Sequence, residues 1–274
     1  MSSGRNGVHK PYLFDHFNDI KELILHSRSG LFTDIDGTIS EIAESPDAAF
    51  VSASCRDNLE FLARNLVIVA AITGRPASEA RTMVGVEDMV YIGNHGLEKW
   101  AKGDITFGKG VEEYVSKIYR IADELKNRIH IEGVFIENKG PTVSIHYRRA
   151  HNPESSRKLV MCVAEEIAEL NNLKINVGKM VVELKPLIDL NKGTAIWGLI
   201  KEYNLESAVY LGDDITDIDV FRILGRNKGD FRGISIAVLS PETAPEVVQH
   251  ADYVLKGVED VERFLKQVAE AMAA

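Results

Sequence analysis

Leu66 to Ile72 is an unbroken apolar run, Leu-Val-Ile-Val-Ala-Ala-Ile. A strand buried on both faces reads this way, and the Val and Ile residues favour strand over helix. The run is far too short to cross a bilayer, which needs about 20 such residues. Its neighbours keep a βα rhythm: strand Leu31 to Thr33, helix Ser52 to Arg64, then after the run helix Ala77 to Met83 and strand Met89 to Ile92. Strands alternating with amphipathic helices predict a parallel sheet covered on both sides.

After Trp100 the rhythm changes. A helix from about Val111 to Arg128 is followed by strand Ile131 to Ile136, a turn at Asn138-Lys139-Gly140, and strand Thr142 to Tyr147. In the second strand Val143, Ile145 and Tyr147 alternate with polar residues, the pattern of a half-exposed hairpin. Asn152 caps and Pro153 opens a second helix, to about Leu170, and strands near Leu173 to Val177 and Met180 to Leu184 flank Gly178. This αββαββ block predicts a smaller domain inserted into the first sheet. Beyond Pro186 the earlier rhythm resumes with helix Thr194 to Tyr203, strand Ala208 to Leu211 and helix Thr216 to Leu224. Strands Ile234 to Val238 and Tyr253 to Leu255 and helix Val258 to Met272 complete it. The predicted class is α/β: a Rossmann-like parallel-sheet core over 1–105 and 186–274, with an α+β insertion over 106–185. Hinges are expected near Trp100 to Gly110 and Leu184 to Leu187, and the segment before Leu31 is either a docking helix or a support for the core.

Lys and Arg total 32 against 41 Asp and Glu, a net charge of −9. Such a field repels phosphate backbones, so nucleic acid is not an expected partner. Cys55 and Cys162 lie far apart, outside any CxxC spacing. They signal neither a disulfide framework nor a zinc site, and suit a reducing cytoplasmic setting. Residues Met1 to Lys10 lack the apolar stretch of a secretory signal, so neither export nor a membrane partner is expected.

Asp34-Ile35-Asp36-Gly37-Thr38 sits where a predicted buried strand ends, the place at which open parallel sheets bind ligands. Carboxylates at i and i+2 leaving a strand point the same way and repel, unless a cation or proton lies between them. Magnesium suits such hard oxygen donors. An Asx-type turn from Asp34 to Gly37 is the alternative. At an equivalent strand end, Leu211-Gly212-Asp213-Asp214 supplies a second acidic pair, followed by Thr216, Asp217 and Asp219; Asp214 could also cap the next helix. Thr73-Gly74-Arg75-Pro76 ends the apolar run, where a hydroxyl and free N–H groups can hold a phosphate. Lys192-Gly193-Thr194 precedes another helix and offers an ammonium to neutralise it.

The order DxDGT, TGR, αββαββ insertion, Lys and GDD resembles the haloacid-dehalogenase (HAD) superfamily of phosphotransferases. Within it the chain is similar to the trehalose 6-phosphate phosphatases, on Ala71 to Pro76, Gly93-Asn94-His95-Gly96, Pro141 to Arg148, Gly178 to Pro186 and Gly212 to Asp217. The resemblance implies a HAD-like core with a substrate-specificity cap, and a magnesium-dependent phosphatase that releases phosphate from trehalose 6-phosphate in trehalose biosynthesis. It implies that Asp34 is the nucleophile and Asp36 the general acid that later activates water. It further implies that Thr73 and Lys192 bind the phosphoryl group. The Mg2+ ligands implied are Asp34, the Asp36 carbonyl and Asp213, with Asp214 and Asp217 supporting the ion or its waters. Sugar recognition falls by resemblance to Arg75, Asn94 and His95 in the core and to Arg148, Lys179 and Glu183 in the cap, which would close over the sugar.

Arg148 and Glu183 could instead pair across the cap sheet, and His95 could cap a strand end. The chain departs from the family pattern at Ile218, where Glu is usual, and lacks the Trp often found before the motif that ends in Lys192-Gly193. The rival readings are a related phosphatase of sucrose 6-phosphate or a glycosyl phosphoglycerate, and a catalytically silent sugar-phosphate-binding subunit. The expected partner is a small sugar phosphate, with association with a trehalose 6-phosphate synthase as a further expectation.

Overall fold

The computed structural model describes residues 10–26, 28–43, 48–178, 180–226 and 230–274. The chain divides into two compact units, one of residues up to Ile105 together with Leu190–Ala274, the other Thr106–Asp189. In chain order the elements are α1 (Phe17–His26), β1 (Ser29–Thr33), α2 (Ala53–Asn65), β2 (Ile68–Ile72), α3 (Ala77–Val84), β3 (Val90–Gly93), β4 (Glu98–Ala101) and β5 (Asp104–Phe107). The second unit adds α4 (Glu112–Arg128), β6 (Phe135–Asn138), β7 (Val143–His146), α5 (Pro153–Asn171), β8 (Leu173–Gly178) and β9 (Val181–Pro186). The first unit then resumes with α6 (Lys192–Glu202), β10 (Ser207–Gly212), α7 (Ile218–Leu224), β11 (Arg232–Val238), α8 (Pro245–His250), β12 (Tyr253–Leu255) and α9 (Gly257–Ala273).

Six strands of the first unit run parallel in the spatial order β12-β11-β10-β1-β2-β3. Alternate residues of each strand enter different apolar clusters, because successive side chains point to opposite faces. Leu31 joins Leu59, Val69 and Phe264 in the cluster supplied by α1, α2, α3 and α9. Phe32 joins Ala70, Ile196 and Phe221 in the one supplied by α6, α7 and α8. The apolar run of the sequence is thus β2, all five of its residues buried. Leu13, Ile20 and Ile24 belong to the first cluster, so the segment before Leu31 is a support for the core. Among the described residues no helix is long and apolar enough to cross a membrane.

The second unit is a four-stranded antiparallel sheet ordered β6-β7-β9-β8. Val143, Ile145, Val182 and Leu184 pack on Ile121 and Leu125 of α4 and Val160 and Ile167 of α5. The Asn152 side chain accepts the Ser155 N–H at 3.1 Å, and Pro153 opens α5.

The stretch from Trp100 to Gly110, expected as a hinge, contains the division between the two units at Ile105 and Thr106, and it also carries the end of β4 and all of β5, which extend the sheet beyond β3. These strands join through Lys102 and Gly103, with φ of 53° and 95°. A two-residue hairpin turn of the type I′ class needs positive φ at both positions, and Lys-Gly announces it far less clearly than Asn-Gly. The strand expected from Ile131 starts only at Phe135, since Gly133 turns with φ of 81°. A Cβ at Gly133 would lie 2.0 Å from the Arg149 carbonyl oxygen. The second expected hinge, Leu184 to Leu187, is mostly strand, as β9 pairs through Pro186 with Leu173.

Candidate active site

β1 and β10 are parallel neighbours, so the chain leaves both at one sheet edge. The Asp34 N–H still donates to the Leu211 carbonyl at 2.9 Å, carrying the pairing one residue past β1. Asp34, Asp213 and Asp217 are all buried, and each offers a carboxylate oxygen within 4.8 Å of the others. Gly37, with φ of 81°, makes room for this: a Cβ there would meet Asp213 Oδ2 at 2.1 Å. The buried Thr38 hydroxyl donates to Asp213 Oδ1 at 3.3 Å.

Lys192 is the first residue of α6, whose start is fixed by Asn191 and Thr194. The Asn191 side chain accepts the Thr194 N–H at 2.8 Å, and the Thr194 hydroxyl accepts the Asn191 N–H at 2.9 Å. From there Lys192 Nζ donates to Asp34 Oδ2 at 2.6 Å and to Asp217 Oδ1 at 2.7 Å. The lysine is only 1% exposed. Burial alone would lower its pKa, but Asp217 and Asp34 outweigh that and hold the ammonium charged far above its usual range. Burial pushes Asp34 well above the ordinary carboxylate range; Lys192 opposes this, while Asp217 and Asp213 add to it. Asp213 is pushed up to about 7, first by burial and then by Asp217.

Which acid of the last motif turns inward is decided by hydrogen bonding. Asp217 Oδ1 accepts Lys192 Nζ and the Tyr210 hydroxyl, and its Oδ2 accepts the N–H groups of Asp213 and Asp214, both at 2.9 Å. Four donors use the four lone-pair sites of a carboxylate. Asp217 is therefore committed to the protein and left without a lone pair for a metal. Gly212 is what admits it, since a Cβ there would be 2.5 Å from Asp217 Cγ. Asp214, expected among the metal ligands, is exposed and instead caps the 215–217 turn, accepting the Asp217 N–H. It is absent from the acidic cluster.

Thr73 is buried, its hydroxyl accepting the Arg75 N–H at 3.2 Å. The loop that follows is clasped to the loop after β3: the Asn94 N–H donates to the Arg75 carbonyl and the His95 N–H to the Thr73 carbonyl, each at 2.9 Å. Asn94 and His95 hold φ of 49° and 56°. Left-handed backbone at two successive non-glycine residues is strained and marks a loop held by its surroundings. Gly74 lets the His95 ring approach, since a Cβ there would be 2.7 Å from it. Arg75, expected at the sugar, forms a fork on Asp36 with Nε and Nη2 each 2.7 Å from a carboxylate oxygen.

In the second unit Ser144 pairs with Glu137 on one side and Glu183 on the other, which sets these three on the sheet face opposite the helices. Glu183 is 7% exposed rather than an exposed strand residue, and accepts the Thr142 hydroxyl at 3.2 Å. Lys139 Nζ stands 3.8 Å from Glu137 and 3.9 Å from Glu183, and Glu137 Oε2 is 2.8 Å from His146 Nε2. Arg148 lies in the exposed turn after β7. Lys179 falls outside the described residues.

A family model of trehalose-phosphatases matches residues 32–259. The chain belongs to the trehalose-phosphatase family. A protein of Oryza sativa subsp. japonica named probable trehalose-phosphate phosphatase 3 is 30% identical over 261 residues, spanning 88% of this chain and 69% of that one. Trehalose-phosphate phosphatase B of Arabidopsis thaliana is 29% identical over 278 residues, spanning 96% and 72%. A crystal structure of a trehalose-6-phosphate phosphatase related protein aligns with a TM-score of 0.75 and 24% identity, covering 88% of this chain and 97% of that one. The fold is HAD-like, and as a trehalose-phosphatase the chain is a phosphoric monoester hydrolase.

The donor set of this trehalose-phosphatase suits a divalent cation. Three buried carboxylates face one ammonium, so two negative charges are left over when all are ionised. A buried excess of that size needs a compensating cation or bound protons. With Asp217 saturated, Asp34 and Asp213 are the carboxylates able to hold it, and hard oxygen donors select such an ion. Glu137, Lys139, Thr142 and His146 escaped the sequence reading although a signal existed. Glu137 and His146 share the face of Glu183 by period-two alternation, once the strand register is known.

Proposed function

We propose that this trehalose-phosphatase hydrolyses trehalose 6-phosphate by transferring the phosphoryl group to Asp34 and then to water. The observation that carries this reading is Lys192, buried and hydrogen-bonded to both Asp34 and Asp217. An ammonium held there neutralises charge that would otherwise repel a carboxylate from a phosphate dianion. An Asp34 oxygen forms a bond to phosphorus while the bond from phosphorus to the sugar oxygen breaks, and Asp36 gives that oxygen a proton. Water then attacks phosphorus, Asp36 takes its proton, the bond to Asp34 breaks and phosphate leaves. For Asp36 to carry the proton, Arg75 must release one arm of its fork, for which phosphate and sugar oxygens compete. Thr73 is assigned to the phosphoryl group. Mg2+ held by Asp34, Asp213 and the Asp36 carbonyl would supply Lewis-acid stabilisation of phosphoryl charge.

Sugar recognition is assigned to Asn94 and His95 in the first unit and, in the second, to Glu183, Arg148 and Lys179, with Glu137 and Lys139 on the same sheet face as Glu183. A polyhydroxylated ligand needs many paired donors and acceptors, and a polar sheet face offers them. The second unit is thus read as the specificity cap, and the reaction is placed in the cytoplasm beside a trehalose 6-phosphate synthase.

Phosphate release from trehalose 6-phosphate, sucrose 6-phosphate, glucose 6-phosphate and an aryl phosphate, with magnesium and with chelator, tests the reading. Trehalose 6-phosphate should be turned over fastest and only with the ion. A better rate on another sugar phosphate overturns the substrate, and full activity in chelator overturns the metal.

A further inference from the structure

Tyr210 in β10 has no use in the reaction as described, yet it reaches the catalytic lysine through one atom. Its hydroxyl donates to Asp217 Oδ1 at 2.6 Å, the oxygen that also accepts Lys192 Nζ at 2.7 Å. The ring is fully buried against Phe221, with centroids 6.0 Å apart. A phenylalanine would fill that space equally well and would spare the core a hydroxyl that must be satisfied. Burial, with Asp217 and Asp34 adding to it, holds the phenol well above its ordinary pKa, so it stays a donor.

The need for that donor follows from the lysine. An ammonium on a flexible four-carbon stem has three rotatable N–H bonds, and its direction is set by its acceptors. One acceptor, Asp34 Oδ2, belongs to the carboxylate that reacts. The other, Asp217 Oδ1, keeps its place through the cycle only if the Asp217 carboxylate cannot rotate. Two backbone N–H groups hold Oδ2, and Tyr210 holds Oδ1. We propose that Tyr210 is a positioning residue for phosphoryl transfer, its hydroxyl fixing Asp217 Oδ1 and thereby the direction of the Lys192 ammonium. This rests on the role given to Lys192 above.

Tyr210→Phe removes the hydroxyl and keeps the ring. With trehalose 6-phosphate and with an aryl phosphate alike, kcat should fall about tenfold, the rate equivalent of one hydrogen bond to a charged group. KM should stay within about twofold, because the lysine acts on the transferring group and not on the sugar. Asp217→Asn alone and combined with Tyr210→Phe closes a double-mutant cycle. In the Asn background the Phe substitution should cost less than about twofold, since the coupling runs through Asp217. Wild-type kcat in Tyr210→Phe, a loss confined to trehalose 6-phosphate, or full additivity in the cycle overturns the proposal. Activities are read at a temperature where thermal melts show every variant folded. If the Phe chain does not fold, 3,5-difluorotyrosine at position 210 retains ring and hydroxyl but alters donor strength. It should then shift kcat by at least about twofold with the fold intact, and an unshifted kcat overturns the proposal. A wild type that turns over the aryl phosphate but not trehalose 6-phosphate removes the substrate assignment, while the Tyr210 test still runs on the aryl ester.

Discussion

In the first unit Lys192 is bonded to two carboxylates at 2.6 and 2.7 Å with its side chain 1% exposed. In the second, Lys139 stands 3.8 and 3.9 Å from two carboxylates with its side chain 15% exposed. Both are a lysine between two acids, but they suit different tasks. A group that stabilises charge developing in a transition state must already point the right way, in a dry place where electrostatics is strong. The Lys139 contacts to Glu137 and Glu183 exceed direct hydrogen-bond length, so those two carboxylates do not fix its direction as Asp34 and Asp217 fix that of Lys192. On the function proposed above, the tight pair serves the chemistry and the looser one the sugar.

The largest expected effect lies at the tight end. Asp34→Asn should lower phosphate release from every ester by at least about 10,000-fold while circular dichroism stays unchanged, since the amide cannot act as the nucleophile. Near wild-type turnover in this variant would end the covalent mechanism. Lys192→Met against Lys139→Met tests the contrast itself. The first leaves Asp34 and Asp217 buried without their ammonium and should cost about 3–5 kcal/mol in chemical denaturation, with about 1,000-fold lower kcat. The second should cost less than about 1 kcal/mol and act mainly on KM. Similar stability losses at both positions would erase the distinction.

A smaller, selective effect is expected at Glu183→Ala: about 10- to 100-fold lower kcat/KM with trehalose 6-phosphate, and a change within about threefold with an aryl phosphate. Equal losses on both substrates would remove the second unit from sugar recognition. The smallest concerns pH. Asp213 has a folded pKa of about 7, above its unfolded value, so its ionised form disfavours the native state. Its contribution to stability is present below the unfolded pKa and is lost as pH rises through about 7. In chelator the unfolding free energy should fall between pH 5 and pH 8 by on the order of a few kcal/mol or less, and the thermal midpoint should fall with it. Magnesium should restore it at pH 8, because a cation binds only the ionised carboxylate. A flat profile in chelator would show that the excess charge is not felt.

Asp34, Asp213 and Lys192 were legible as one site because a parallel sheet brings the ends of β1 and β10 to the same edge, and both motifs announce themselves by residue type. The choice between Asp214 and Asp217 was not. It depends on a 3-10 turn at 215–217 and on the missing side chain of Gly212, which together let Asp217 reach four donors. The Arg75–Asp36 fork was not legible, because Asp36 is 39 residues away and meets Arg75 only in space. β4 was missed because a charged residue, Glu98, takes one of its two buried positions, and β5 because it is mostly exposed, so neither shows the buried apolar residues that marked β3 and β7.

Apolar periodicity and acidic, Thr-Gly and Lys-Gly punctuation suffice to specify a two-part α/β chain with anionic groups gathered at one sheet edge, since both are local properties of the polymer. Hydrogen-bond saturation is not local. Whether a buried carboxylate keeps a free lone pair depends on donors brought from β10, α6 and the turn after Asp213, and only the folded chain decides that Asp217 and Tyr210 serve the lysine while Asp34 and Asp213 stay available.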